Sequence, residues 1–154
     1  LVRSAEAKAL MLEERSVARS FENAAKVDVA FVGLGGVSAD SSLMKTGYLT
    51  EEHLREITEK GAVGDMLMRY FDAEGRHVRM SFEDRAVSPE WETLRRLPLV
   101  VAMAYGPSKL AAIKGALAGR DYVDADDATL AGRLVQGLVT DRATAELLLA
   151  ERAG

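Results

Sequence analysis

Cysteine is absent from this 154-residue chain. No disulfide and no thiolate metal site can form, and the chain suits a reducing compartment. Histidine occurs only twice. His53 stands alone among charged residues, with no ligand partner at suitable spacing, and reads as a surface residue. Membrane-length apolar runs of ~18 residues are missing as well. The opening residues, Leu1 to Glu6, lack the charged-then-apolar layout of a signal peptide. There is no excess of positive charge. The formal net charge is −4, which argues against a nucleic-acid footprint over the whole chain. The chain also opens without methionine, inside a periodic pattern, and so reads as a fragment of something longer.

What is present is ordinary for a globular domain: 48% hydrophobic and 29% charged residues. Residues 4–13 have helical composition, and a second helical pattern runs from Ser16, a capping residue. The pattern then changes. Val27 to Val32 is a short apolar run that ends in Gly33-Leu34-Gly35-Gly36. It predicts a strand buried on both faces, as in a parallel sheet. Ser38 to Tyr48 predicts a polar, irregular loop. Thr50 caps a helix with Glu51 and Glu52 in its first turn, and Gly61 ends it. Met66–Asp72 and His77–Met80 predict a hairpin turning at Ala73–Arg76. Ser88-Pro89-Glu90 predicts a helix start, with Trp91, Leu94 and Leu97 on the buried side.

Leu99 to Ala104 is the second strand predicted to be buried on both faces. It runs into Gly106-Pro107-Ser108-Lys109, a glycine turn and a helix opening at Pro107. Lys109 falls in the first helical turn, where the macrodipole makes a cation unfavourable by roughly 0.3–1 kcal/mol. An anion held between that lysine and the helix N-terminus would reverse the sign. Leu134 to Val139 predicts a third strand, and Thr140-Asp141 the cap of the last helix. Leu117-Ala118-Gly119-Arg120 recurs as Leu130-Ala131-Gly132-Arg133, and residues 121–132 read as an inserted loop in a single domain spanning 1–154.

Three strands, each followed by a turn and a helix, predict an α/β fold: a mostly parallel sheet with helices on both faces. Ligands of such sheets bind beyond the carboxyl ends of the strands. That rim would gather Gly33, Gly35, Gly36, Gly106, Lys109 and the Thr140-Asp141 cap, with Asp65 and Lys45 reaching it from connecting loops. Cations and helix starts suit phosphate, and carboxylates suit hydroxyls, so the set fits a sugar phosphate.

Several short motifs then fall in one order. They are Asp28-Val29-Ala30-Phe31-Val32-Gly33-Leu34-Gly35, Gly47-Tyr48-Leu49-Thr50, Gly61-Ala62-Val63-Gly64-Asp65, Phe71-Asp72-Ala73-Glu74-Gly75, Gly106-Pro107-Ser108-Lys109 and Leu138-Val139-Thr140-Asp141. Together they resemble the effector-binding domain of SorC/DeoR-type sugar regulators. The resemblance implies a fold similar to glucosamine-phosphate deaminases, ribose-phosphate isomerases and CoA transferases. It implies a cytoplasmic regulator that binds a phosphorylated sugar and forms a homodimer or homotetramer, with no cofactor, no metal, no catalytic residue and no membrane. DNA contact would come through an N-terminal helix-turn-helix, which these residues do not include. By motif, Lys109 resembles the phosphate-binding lysine, Asp65 the acidic residue that takes effector hydroxyls, and Lys45 a basic effector contact. Two other readings stay open at this point. One is a sugar-phosphate isomerase or deaminase, with Asp65 as base and Lys109 stabilising negative charge. The other is an oligomerisation module with a vestigial pocket.

Overall fold

The computed structural model describes residues 1–118, 122–123, 129–130 and 133–150. Two helices open it, α1 (Ala5–Glu13) and α2 (Arg15–Ala24). Ser4 caps α1 by accepting the Ala7 N–H. The expected cap at Ser16 is not used: α2 begins one residue earlier, after Glu14, whose extended backbone makes the break between the helices.

The organising element is a parallel sheet. Strand β1 (Ala30–Gly33) pairs with Val100–Met103, which pairs in turn with Gly137–Val139. The architecture is a mixed α/β fold with a parallel sheet flanked by helices, as the strand–turn–helix order predicts. Immediately after β1 the chain forms β2 (Gly35–Gly36). A short helix α3 (Ser42–Lys45) follows, then α4 (Glu51–Glu59), and β3 (Gly64–Met66) and β4 (Arg69–Phe71). Strands β2, β3 and β4 make a small antiparallel sheet beside the parallel one. Next come α5 (Trp91–Arg95), the parallel strand β5 (Val100–Met103) and α6 (Leu110–Ala118). The chain closes with β6 (Tyr122–Val123), β7 (Thr129–Leu130), β8 (Gly137–Val139) and α7 (Arg142–Ala150). Apart from the β6–β7 pairing, the inserted loop expected at 121–132 lies outside the described residues.

One core cluster forms where Val32, Val100 and Ala102 meet Ala112, Ile113 and Ala116 of α6, with Trp91 and Leu94 of α5 closing it. A second gathers Leu49, Ile57, Tyr70, Met80 and Phe82 between α4 and β4. The expectation that β1 and β5 are buried on both faces is met on one. Phe31, Met103 and Val139 point away from the core and are 63%, 49% and 55% exposed. Residues aligned in a parallel pair share a face, so these three lie together, and among the described residues nothing packs over them.

Local chemistry explains the other departures. The loop expected at 38–48 contains α3 because Ser41 caps it, accepting the Met44 N–H. His53 is half-buried rather than a plain surface residue. Its Nδ1 accepts the Thr50 N–H while Thr50 caps the His53 N–H, and its ring lies against Phe82. The expected turn at 73–76 forms, with the Asp72 N–H donating to the Arg76 carbonyl, but a tighter hairpin turn at Leu67-Met68 splits the expected 66–72 strand into β3 and β4. Leu67 and Met68 have positive φ, 54° and 66°, and Asp65 Oδ2 accepts the Met68 N–H at 3.2 Å. Propensity alone would not put two bulky residues there. His77 keeps only a single bridge to Phe71. Ser88 does not cap α5, which starts at Trp91, because the carbonyls of Ser88 and Pro89 accept from the buried Arg69 guanidinium. The third strand is shorter than 134–139, since Leu134 and Val135 turn into the core before β8 begins.

Candidate functional site

The carboxyl end of β1 and the turn before α6 open on one cleft of about 680 Å³. Its walls are the chain from Gly33 to Ser38 and the start of α3. Leu54 and Ile57 of α4, Asp65 of β3, Tyr70 of β4, and Ser108 and Lys109 before α6 complete them. This is the size range of small-molecule sites.

Lys109 is the last residue of a short 3-10 turn, Pro107–Lys109, that leads into α6. Gly106 makes the preceding bend possible with φ +95°, and its N–H donates to Thr144 Oγ1 at 2.8 Å. The Lys109 ammonium donates to the backbone carbonyl of Leu34, at the β1–β2 junction. The lysine thus ties the start of α6 to the end of the parallel sheet. Its charge also acts on Asp65. These two partners offset the cost of a cation at a helix N-terminus.

Asp65 lies in the middle of the antiparallel sheet, opposite Gly35 on one side and Tyr70 on the other. It is 8% exposed. Burial pushes its carboxyl above the ordinary aspartate value, against the opposing pull of the Met68 N–H and the Lys109 charge. Two glycines make the close approaches here. A Cβ at Gly35 would meet Asp65 Oδ1, and one at Gly36 would lie 2.8 Å from the Ser108 carbonyl oxygen. The glycine run is therefore required by packing between β2, Asp65 and the 107–109 turn.

Of the residues expected at the rim, Gly33, Gly35, Gly36, Asp65 and Lys109 line the cleft together. Two others stand elsewhere. Lys45 is on the surface, 3.7 Å from Asp40. Gly106 shapes the turn and does not line the cleft. Thr140 and Asp141 do not line the cleft; Asp141 caps the last helix as expected, its Oδ1 accepting the Thr144 N–H at 2.7 Å. The reading of residues missed the Leu34 carbonyl, the hydroxyls of Ser38, Ser41 and Ser42, and Tyr70. Tyr70 comes to the cleft through the hairpin register, which the turn at 67–68 sets so that it lies across from Asp65.

Among the described residues the cleft offers one cation beside a helix N-terminus, the buried carboxylate of Asp65 and the exposed one of Asp40, several hydroxyls and an apolar wall from Leu43, Leu49 and Ile57. Among the described residues the lining contains no histidine.

A family model described as "Putative sugar-binding domain" matches residues 1–150. A transcriptional regulator LsrR from Enterobacter sp. (strain 638) is 33% identical over 152 residues, which is 97% of this chain and 43% of that protein. The crystal structure of the full-length sorbitol operon regulator SorC from Klebsiella pneumoniae superposes with a TM-score of 0.79 at 26% identity. The match covers 97% of this chain and 44% of that one. A DeoR family transcriptional regulator from Listeria monocytogenes superposes at 0.80 and 28% identity, over 96% of this chain and 55% of that one. The chain thus spans less than half the length of the LsrR and SorC relatives. No helix of the described residues is long and apolar enough to cross a membrane.

Proposed function

The chain belongs to the sugar-binding domain family of SorC/DeoR-type transcriptional regulators, and from that membership we propose that its cleft binds a phosphorylated sugar and releases it unchanged. The protein is then the ligand-sensing part of a cytoplasmic regulator. DNA contact falls to a separate helix-turn-helix, and the regulator works as a homodimer or homotetramer.

One observation carries the reading. A lysine at a helix N-terminus and a buried carboxylate converge on the same cleft, with Lys109 tied to Leu34 and Asp65 set on β3. The helix start and the ammonium suit phosphate. Asp65 accepts from ligand hydroxyls, and the serine side chains give and take further hydrogen bonds.

Binding without turnover is favoured over isomerase or deaminase chemistry by the lining. Among the described residues it holds no histidine, and its second carboxylate, Asp40, is exposed and 3.7 Å from Lys45 rather than buried beside Asp65. The relatives carry the names of regulators. Isothermal titration of the protein against a panel of aldose, ketose and alditol phosphates, with recovery of each ligand afterwards, tests the reading. Saturable binding of one or more members, recovered intact, is the expected result. Conversion of the bound sugar would move the protein to the enzyme class instead.

A further inference from the structure

Tyr70 is the unused polar group of the cleft. The residue is 3% exposed and lines the cavity. Its ring is held edge-on against Phe82, with centroids 5.8 Å apart at 89°. Its backbone is fixed on both sides, because β4 pairs with β3 and the Tyr70 carbonyl accepts the Val78 N–H. The ring therefore has a set position, yet among the described residues its hydroxyl has no hydrogen-bond partner. A hydroxyl without a protein partner is satisfied only by solvent or a ligand. Here it opens on the cleft.

Directly across the strand pair is Asp65. Residues opposite each other in an antiparallel pair project to the same face. The carboxylate and the phenol are thus neighbours, and Gly35 on the other side of Asp65 adds no side chain to the row. A carboxylate accepts and a tyrosine hydroxyl donates, so the pair can hold two different hydroxyls, or give to and take from one.

We propose that Tyr70 is a specificity-determining residue. Its hydroxyl hydrogen-bonds a hydroxyl of the bound sugar beside Asp65, and so selects hydroxyl-rich ligands over their deoxy counterparts. Burial pushes the phenol far above its ordinary value, and the charges of Asp65 and Glu83 push the same way, so the group remains a donor at every physiological pH. This inference rests on the proposed sugar-phosphate function and adds to it which ligands are refused.

Tyr70→Phe keeps the ring and its contact with Phe82, and removes only the hydroxyl. The test is titration of wild type and Tyr70→Phe with D-glucose 6-phosphate, D-ribose 5-phosphate, D-glucitol 6-phosphate, the monodeoxy analogues of the first two, and inorganic phosphate. Wild type is expected to prefer one parent sugar phosphate over one of its deoxy analogues by about tenfold, the size of one well-made hydrogen bond. Tyr70→Phe is expected to bind both members of that pair alike, with the affinity for inorganic phosphate unchanged. Melting of Tyr70→Phe at or above the wild-type temperature shows that the fold is kept. A wild type that binds sugar phosphates but treats every deoxy pair alike, or a variant that keeps the preference, overturns the role of Tyr70 alone. A wild type that binds no sugar phosphate overturns the functional reading and the Tyr70 role with it.

Discussion

The carboxylate of Asp65 lies against the α-carbon of Gly35, so close that a Cβ at position 35 would stand 1.8 Å from Oδ1. The two residues are also cross-strand partners in the β2–β3 pair. A glycine in one strand is the space that an acidic group in the next one occupies. Gly35→Ala is therefore expected to displace Asp65 and weaken sugar binding by at least about tenfold. The same substitution made in an Asp65→Ala background should cost less stability than in wild type. Thermal denaturation of the four proteins in that cycle measures the coupling. Equal costs in both backgrounds would mean that the clash is relieved without moving the carboxylate.

Lys109→Met removes the charge and keeps most of the stem. Phosphorylated ligands should lose about 1.5–3 kcal/mol, the worth of a hydrogen bond to a charged group. The unphosphorylated parent sugars should change much less. Titration calorimetry on matched pairs reads the difference. The lost bond to the Leu34 carbonyl should also lower the melting temperature.

Protonation of Asp65 gives a pH dependence of known sign. Burial holds its pKa above the ordinary 3.8. Ionisation in the ligand-free protein is therefore unfavourable, and this residue's contribution to stability falls as pH rises from 3.8 through the folded value. A ligand hydroxyl donating to the carboxylate favours the ionised form. The affinity ratio of wild type to Asp65→Asn should rise with pH over that window. Using the same ligand for both proteins cancels the titration of its phosphate. A ratio flat in pH would show that the ligand does not touch the carboxylate.

Glu83, buried 3.2 Å from Arg69, titrates in the opposite sense. Burial alone would raise the Glu83 carboxyl. The hydrogen bond and charge of His77, the charge of Arg69 and the Met80 N–H outweigh it and hold the group below its ordinary 4.5. The stability it supplies is complete above 4.5 and is lost as pH falls below that toward the folded value. Glu83→Gln should flatten this acid limb of the stability curve. Glu83→Ala leaves a buried guanidinium short of a partner and should cost about 3 kcal/mol, the low end for a broken buried pair. Glu90, 2.9 Å from the same arginine, keeps the loss from being larger.

Leu67 and Met68 hold positive φ without being glycine or asparagine. Each such residue costs roughly 1–2 kcal/mol. Leu67 is the better target because its side chain is exposed. Leu67→Asn should stabilise the protein by about 0.5–1 kcal/mol, a rise of about 1–4 °C in melting temperature for a chain of this size. Calorimetric melting checks it.

That turn also shows where the reading of residues fell short. Gly33 to Gly36, Asp65 and Lys109 were legible because each has a local reason: a strand end, a turn aspartate, a cation in the wrong half of a helix. Tyr70 was not, because its place depends on the hairpin register, and the register depends on a turn that no propensity favours. Ser88 has the residue type of a cap and does not act as one for a similar reason. Its carbonyl is committed to Arg69, nineteen residues away in sequence, and no window around Ser88 contains that partner. The parallel strands were recognised from their apolar runs, but the runs could not say which face is covered. Phe31 and Val32 look alike in sequence, and one is exposed while the other is buried. Lys45 carried a motif-level expectation, and its surface pairing with Asp40 depends on the fold of the loop between them.

The most direct test of the central claim is the crystal structure of the protein with a sugar phosphate that it binds in solution. The account predicts the phosphate within hydrogen-bond distance of Lys109 Nζ at the start of α6, and a sugar hydroxyl on the Asp65 carboxylate. A sugar phosphate bound outside the cleft, or seated there with its phosphate away from Lys109, would contradict it.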